Sequence, residues 1–275
     1  MIKQMMDITV YTVAYNGYGV YLPQWLSNVA NQKVKPKEAI VVLSEGHNAP
    51  EIDTFAFEGK TGIKLHIIDH PERLSMGCLR NLAIDKSSCE WILYFSADDV
   101  LLDYAIESVM ECSKNSDAVA LRYCMKTKAG SQILETPIPE LHKMVSWEKN
   151  YCNSGYVALK KEFQGTLTKY ADSDYPNFGY LFEMRYRGVR MVHSDRICAT
   201  YRRDFPGKLK KRFNGDTRKA WVTISRAMSK FFKCPKHDNP LTVCDQCLGE
   251  VVALLEKGKN KEAVEMIQEI IKHGK

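Results

Sequence analysis

Two adjacent carboxylates, Asp98 and Asp99, stand directly behind the apolar run Trp91–Phe95 and ahead of a second apolar segment, Val100–Leu102. A short apolar run of this kind reads as a buried strand. Acids at the carboxyl end of such a strand occupy the edge where open α/β sheets bind ligands. Like charges this close repel, so the pair favours a divalent cation. Hard carboxylate oxygens suit Mg2+ or Mn2+, which bridge to phosphates. The competing reading is structural: an Asp-Asp turn in which Asp99 caps the next helix.

The segments upstream would position these acids. Ile8 to Asn16 reads as a strand entering a turn, and Val20 to Gln32 as an amphipathic helix with Leu22, Trp25, Leu26 and Val29 on one face. Glu38 to Ser44 is a second strand, ending at Glu45 and Gly46. Ile63 to Ile68 is a third, leading to Asp69, and Met76 to Ile84 is a helix feeding the Asp-Asp strand. The order strand, helix, strand, strand, helix, strand predicts a parallel, nucleotide-binding α/β layer.

In this order the segments resemble the nucleotide-sugar half of the family 2 glycosyltransferases, whose fold is called GT-A. Three motifs carry the resemblance: Tyr15-Asn16 at the end of the first strand; Gly77 followed by Leu79, Arg80 and Asn81, where the family has Ala-Arg-Asn; and Ser96-Ala97-Asp98-Asp99, where the family often has Asp-Ala-Asp-Asp. Ser96 thus replaces the first Asp of the metal motif. The resemblance covers residues 6–125 well and 150–204 loosely. It implies an α/β fold over residues 1–204, a GT-A type nucleotide-sugar-binding mixed sheet flanked by helices. It also implies metal-dependent, inverting transfer of a hexose or pentose from a nucleotide-diphosphate sugar, with Mn2+ or Mg2+ on Asp98.

The chemistry explains the residue types. The bond that breaks joins the anomeric carbon to the diphosphate, and the leaving diphosphate gathers negative charge. A cation on Asp98 and the planar fork of Arg80 can stabilise that charge. The family's base-contacting Asp after the second strand is absent, so Ser44, Glu45 and Asp69 are the candidates in its place. A closing strand pair, Val189–His193 and Ile197–Arg203, ends in Arg202 and Arg203, either of which can close over the diphosphate. Asp204 stands where the family often has His.

The second half resembles the family's acceptor region. Asn153 to Lys160 matches its small-residue turn and strand. Inverting members carry a Glu-Asp pair before a helix and a Gly, with the Asp as the base that deprotonates the acceptor hydroxyl. Counting back from Gly188, the expected acid falls on Phe178 and Gly179, neither of which is acidic. Asp174 ranks first as the base, then Asp172, then Glu183. Each also reads as an ordinary loop or helix acid.

The 275 residues suffice for a large core. No apolar stretch is long enough to span a membrane, and Met1–Asp7 lacks the features of a signal peptide, so a soluble, cytoplasmic protein is expected. Of nine cysteines, Cys78, Cys89, Cys112, Cys124 and Cys198 lie in or beside predicted elements, as reduced core thiols do. Cys234, His237, Cys244 and Cys247 are different. They form two pairs, each with two intervening residues, separated by six residues. Three thiolates and one imidazole make a closed tetrahedral Zn2+ set, structural and not catalytic. Two helices, Leu248–Lys257 and Lys261–His273, are expected to follow, giving a small helical module over residues 205–275 that the metal stabilises.

Charge separates the two parts. Residues 205–275 hold 15 Lys and Arg against 8 acids, and between Phe205 and His237 ten bases face Asp216 alone. Such density suits a polyanion: nucleic acid, an anionic membrane surface or a teichoic-type polymer. A solvated helix face is the plainer reading. Three functional classes fit. The chain is a transferase acting on a base in DNA, such as the hydroxymethylated pyrimidines of phage genomes. Or it builds a surface glycan or modifies a protein. Or it is a catalytically dead module that binds a nucleotide sugar or a polyanion, as Ser96 and the missing acid at 178–179 allow. The cysteine spacing predicts one Zn2+ per purified chain; elemental analysis that finds none in carefully prepared protein would overturn that reading.

Overall fold

The computed structural model describes residues 4–127, 130–135, 156–165, 184, 188–202 and scattered positions between 250 and 266. Strand β1 (Met5–Ala14) is buried continuously from Ile8 to Ala14. Burial on both faces suits a central parallel strand. It lies between β2 (Lys35–Leu43) and β4 (Trp91–Tyr94), parallel to both. Strand β3 (Lys64–Asp69) extends the parallel group beyond β2. The carboxyl ends of these four strands therefore meet at one edge of the sheet.

Beyond β4 the sheet becomes mixed. Strand β8 (Val157–Lys160) runs antiparallel to β4 and to β6 (Ala118–Thr127), and β9 (Met191–Arg202) runs parallel to β6. The two-residue β5 (Val100–Leu101) closes on β9, and β7 (Gly130–Glu135) pairs with β6. The order is β3-β2-β1-β4-β8-β6-β9-β5. This is the mixed sheet that the family resemblance implies. Where the sequence suggests two closing strands, the protein has the single strand β9. Ser194, fully buried, absorbs the irregularity: its hydroxyl accepts from the Arg122 N–H (2.9 Å) and donates to the Arg196 carbonyl (2.9 Å).

Helix α1 (Leu22–Ala30) starts from a 3-10 turn, Tyr18–Tyr21, with Pro23 in its first turn, where a missing N–H costs nothing. Nine residues make a marginal helix alone, so packing must hold it. Leu22, Trp25 and Val29 are fully buried, and the Trp25 indole N–H donates to the Phe95 carbonyl at 3.1 Å. The helix is thereby fastened to the end of β4.

Two further expectations fail. Helix α2 (Thr54–Thr61) lies between β2 and β3, where the sequence suggests only a connection. It buries none of its residues and leaves Phe55 87% exposed, so it has no apolar stripe to read. Its signals are local: the Asp53 carboxylate accepts from the Ala56 N–H at 2.8 Å, and Gly62 closes the helix at φ +73°. The reading of Asp99 as a helix cap also fails, because α4 (Ala105–Cys112) begins well past it. Gln32 caps α4 instead. It is 1% exposed; its side-chain oxygen accepts from the Ile106 N–H (3.2 Å) and its amide donates to the Leu102 carbonyl (2.8 Å).

The remaining helices are α3 (Met76–Lys86), capped by Ser75, and the short α5 (Lys161–Gly165). Cys78, Cys89, Cys112, Cys124 and Cys198 are free thiols, as expected, and burial pushes Cys89 up to about 11. Among the described residues no helix is long and apolar enough to cross a membrane.

The amino end of the sheet carries two buried acids. Glu38 accepts from the Thr9 hydroxyl (2.6 Å), the Ser88 N–H (3.1 Å) and hydroxyl (3.2 Å), and lies 3.1 Å from His66 Nε2. Burial pushes its carboxyl upward, but these partners outweigh burial and hold it below its usual range. Asp117 joins three strands. Arg190 grips it with Nε (2.9 Å) and a terminal nitrogen (3.0 Å), and Lys160 lies 3.5 Å away. The Arg190 guanidinium lowers the Asp117 carboxyl from 3.8 to about 2. A depressed carboxyl contributes stability above its unfolded value and loses it as pH falls through the folded one. Asp117→Asn is expected to cost roughly 1.5–3 kcal/mol at neutral pH. The gap to wild type should narrow below about pH 4 and close towards pH 2 in urea unfolding; a gap independent of pH would refute the assignment.

Candidate active site

Four strand ends supply the residues singled out in the sequence. Tyr15 and Asn16 follow β1, Ser44 and Glu45 follow β2, Asp69 ends β3, and Ser96 to Asp99 follow β4. The loops after β1 and β2 are zipped by backbone bonds: Asn16 N–H to the Glu45 carbonyl (3.4 Å), Gly17 N–H to Gly46 (2.6 Å) and Gly19 N–H to His47 (2.7 Å). Gly19 is required by this approach, because a Cβ there would stand 2.4 Å from the Ala49 nitrogen and 2.5 Å from the His47 oxygen. Ser44 is fully buried. Its hydroxyl donates to the Glu72 carbonyl (2.8 Å) and accepts from the Leu74 N–H (3.4 Å), so it ties down the loop after β3. Glu45 and Asp69 are exposed on the rim, and Asn81 is half-buried on α3.

Tyrosines pair near these strand ends. Tyr15 and Tyr18 stack with ring centroids 5.9 Å apart, and Tyr11 leans on Tyr94 at 5.4 Å. Arg80 is 2% exposed and lays its guanidinium over the Tyr94 ring, 3.6 Å from the centroid. A desolvated cation on an aromatic face gains about 2 kcal/mol, which holds a flat fork at the carboxyl end of β4. Burial, and then the nearby Asp98 charge, push the Tyr18 hydroxyl far above its ordinary range. Tyr18 therefore feels the Asp98 charge. The sequence reading did not select it, although it sits between the two glycines of the loop after β1.

Asp98 is 5% exposed, and the Ser96 hydroxyl donates to its Oδ1 at 2.6 Å. The residue that replaces the family's first Asp is thus a donor that orients the second. Asp99 is 1% exposed. Its Oδ1 accepts from the Arg202 backbone N–H (3.0 Å) and its Oδ2 from the Tyr156 hydroxyl (2.5 Å). Burial, followed by the Asp99 charge, raises the Tyr156 hydroxyl well above its ordinary range. The Arg202 side chain donates to the Asp98 carbonyl (2.8 Å) and to Gln24 (3.0 Å). No sequence signal marks Gln24 or Tyr156 for these roles; the fold alone brings them here.

The donor set fits one kind of cation. Among the described residues no three His, Cys, Asp or Glu side chains form a group able to hold a metal. Mg2+ binds through one or two carboxylates and completes its shell with water and substrate phosphates. A single oriented carboxylate such as Asp98 matches that requirement. Of the other sequence candidates, Asp172, Asp174, Glu183, Arg203, Asp204, Cys234, His237, Cys244 and Cys247 lie outside the described residues.

The family model described as Glycosyl transferase family 2 matches residues 9–205. The chain belongs to glycosyl transferase family 2. Solved structures of S. aureus TarS share the fold. One, of residues 1–349 in complex with UDP-GlcNAc, aligns with TM-score 0.58 at 14% identity over 81% of this chain and 66% of that one. Residues 1–349 alone give 0.57 at 13% identity over 94% and 81%, and the UDP complex gives 0.54 at 16% over 81% and 65%. No curated protein matches the sequence.

Proposed function

We propose that this glycosyltransferase moves a sugar from a uridine-diphosphate donor to an acceptor hydroxyl, with inversion. The observation that carries the reading is Asp98: a buried carboxylate just past the end of β4, oriented by Ser96, at the sheet edge that also carries the stacked Tyr15 and Tyr18 and the Arg80 guanidinium over Tyr94. The UDP and UDP-GlcNAc complexes of similarly folded TarS support uridine as the base.

In this reading the Tyr15–Asn16 loop and the rim acids Glu45 and Asp69 border the base, and Asn81 and Arg80 face the phosphates. Mn2+ or Mg2+, when bound on Asp98, supplies positive charge to the leaving diphosphate. The bond from the anomeric carbon to the diphosphate oxygen breaks, and a bond from the acceptor oxygen to that carbon forms. The acceptor proton passes to a carboxylate, with Asp174 first in rank, then Asp172 and Glu183. Arg203 is a further candidate for the diphosphate. The bonds of Arg202 to Asp98 and Gln24 give that residue a structural task as well.

Asp98→Asn is expected to abolish most Mn2+-dependent UDP binding in calorimetry and to lower UDP-GlcNAc turnover by at least about tenfold, in line with losing roughly 1.4 kcal/mol or more of transition-state stabilisation. Circular dichroism should be unaltered. Normal turnover in this variant would remove Asp98 from the metal role. A catalytically dead binding module would bind UDP without hydrolysing the donor.

For the acceptor we infer a polyanion, with DNA that carries a hydroxymethylated base as the form to test first and a surface glycan or protein as the alternative. Support comes from the ten bases between Phe205 and His237. They fall within a basic segment, residues 205–275, that we read as a module closed by Zn2+ on Cys234, His237, Cys244 and Cys247. Affinity for DNA should fall with salt at a log–log slope of about −0.9 per phosphate neutralised. Replacing Lys210, Lys211 and Arg212 together should flatten that slope. Salt-insensitive binding to a neutral glycan, with no DNA binding at low salt, would overturn the nucleic-acid reading.

A further inference from the structure

Asp99 follows the metal carboxylate directly, yet both of its oxygens are spent inside the protein: one on the Arg202 N–H, the other on the Tyr156 hydroxyl. At 1% exposure, its charge is balanced by hydrogen bonds and not by water. The same Arg202 returns through its side chain to the Asp98 carbonyl at 2.8 Å. The peptide that joins the two acids is therefore held from both sides, by its carbonyl and by the next side chain. Strand β5 continues the restraint, since Val100 pairs with Thr200 and Leu101 with Ala199. Tyr156 is itself fixed between Phe95 and Tyr123, at ring centroid distances of 6.1 and 5.1 Å.

We propose that Asp99 is a positioning residue, one that touches neither donor nor cation but clamps the Asp98 peptide to Tyr156 and Arg202 so that the Asp98 carboxylate is already aimed when the metal and donor arrive. The inference rests on the reading of Asp98 as the metal carboxylate. Preorganisation lowers the cost of binding without adding contacts. A loosened clamp leaves Asp98 chemically intact but samples more orientations, so metal binding weakens while the saturated site still forms.

Tyr156→Phe tests this, because it removes one bond to Asp99 and keeps the ring packing. Val109→Ala, a core truncation in α4, serves as the control for general destabilisation. Calorimetric titration of UDP into each protein over a series of Mn2+ concentrations gives the Mn2+ required for half-maximal binding. Tyr156→Phe should raise that requirement about fivefold, with the full UDP stoichiometry recovered at high Mn2+. Val109→Ala should lower the melting temperature at least as much and leave the Mn2+ requirement at the wild-type value. If Tyr156→Phe tracks Val109→Ala, the positioning role is overturned and the bond is merely structural. If the wild type itself shows no Mn2+-dependent UDP binding, the donor reading falls and takes this one with it. Loss of stoichiometry in Tyr156→Phe at every Mn2+ concentration would also overturn the proposal, since a positioning residue shifts the requirement without destroying the site.

Discussion

Two neighbouring carboxylates are buried at the end of β4, and the fold around them is arranged so that they do not share an environment. Burying one uncompensated carboxylate costs several kcal/mol, and two in sequence repel each other besides. The protein separates their tasks. Asp99 accepts from Tyr156 and from the Arg202 N–H and becomes part of the framework, while the Asp98 carboxylate is oriented by Ser96. The donors to Asp99, Tyr156 just ahead of β8 and Arg202 at the end of β9, come from distant parts of the chain. The mixed half of the sheet therefore completes a site whose other walls belong to the parallel half.

This division bears on the Ser96 substitution. An Asp there would add a third negative charge within a four-residue turn. Serine instead supplies a hydrogen-bond donor, which fixes the direction of the Asp98 carboxylate. The family's metal motif is changed in composition but keeps one oriented carboxylate, which is the minimum for a cation that also binds phosphates.

What the sequence revealed and what it hid follow from range. The central strands and the amphipathic α1 were legible because burial leaves continuous apolar runs and helical spacing, as in Ile8–Ala14 and in Leu22, Trp25 and Val29. The acids at strand ends were legible for the same reason: the strand announces where it stops. Helix α2 was hidden because it buries no residue fully, Phe57 packing only partly against the core, and its caps alone marked it. The partners of Asp99 were hidden because the contacts span 57 residues to Tyr156 and 103 to Arg202, and nothing local to a tyrosine or an arginine announces such a pairing. Tyr18 was hidden by composition, being one of four tyrosines between positions 11 and 21.

Strand β8 is only four residues long, yet among the described strands it alone pairs the parallel group β3-β2-β1-β4 with the rest of the sheet, through three residue pairs with β4 and three with β6. Mechanically it is the seam of the molecule. A tensile load applied across the strands would concentrate on those few ladders, and the first amides to surrender to solvent in a sub-global opening would be those of Ala158 and its neighbours. Because Tyr156 stands at the entrance to this seam, parting it would also release the second oxygen of Asp99, so that the mechanical integrity of the sheet and the fixed geometry of the Asp98–Asp99 turn would be lost in one event.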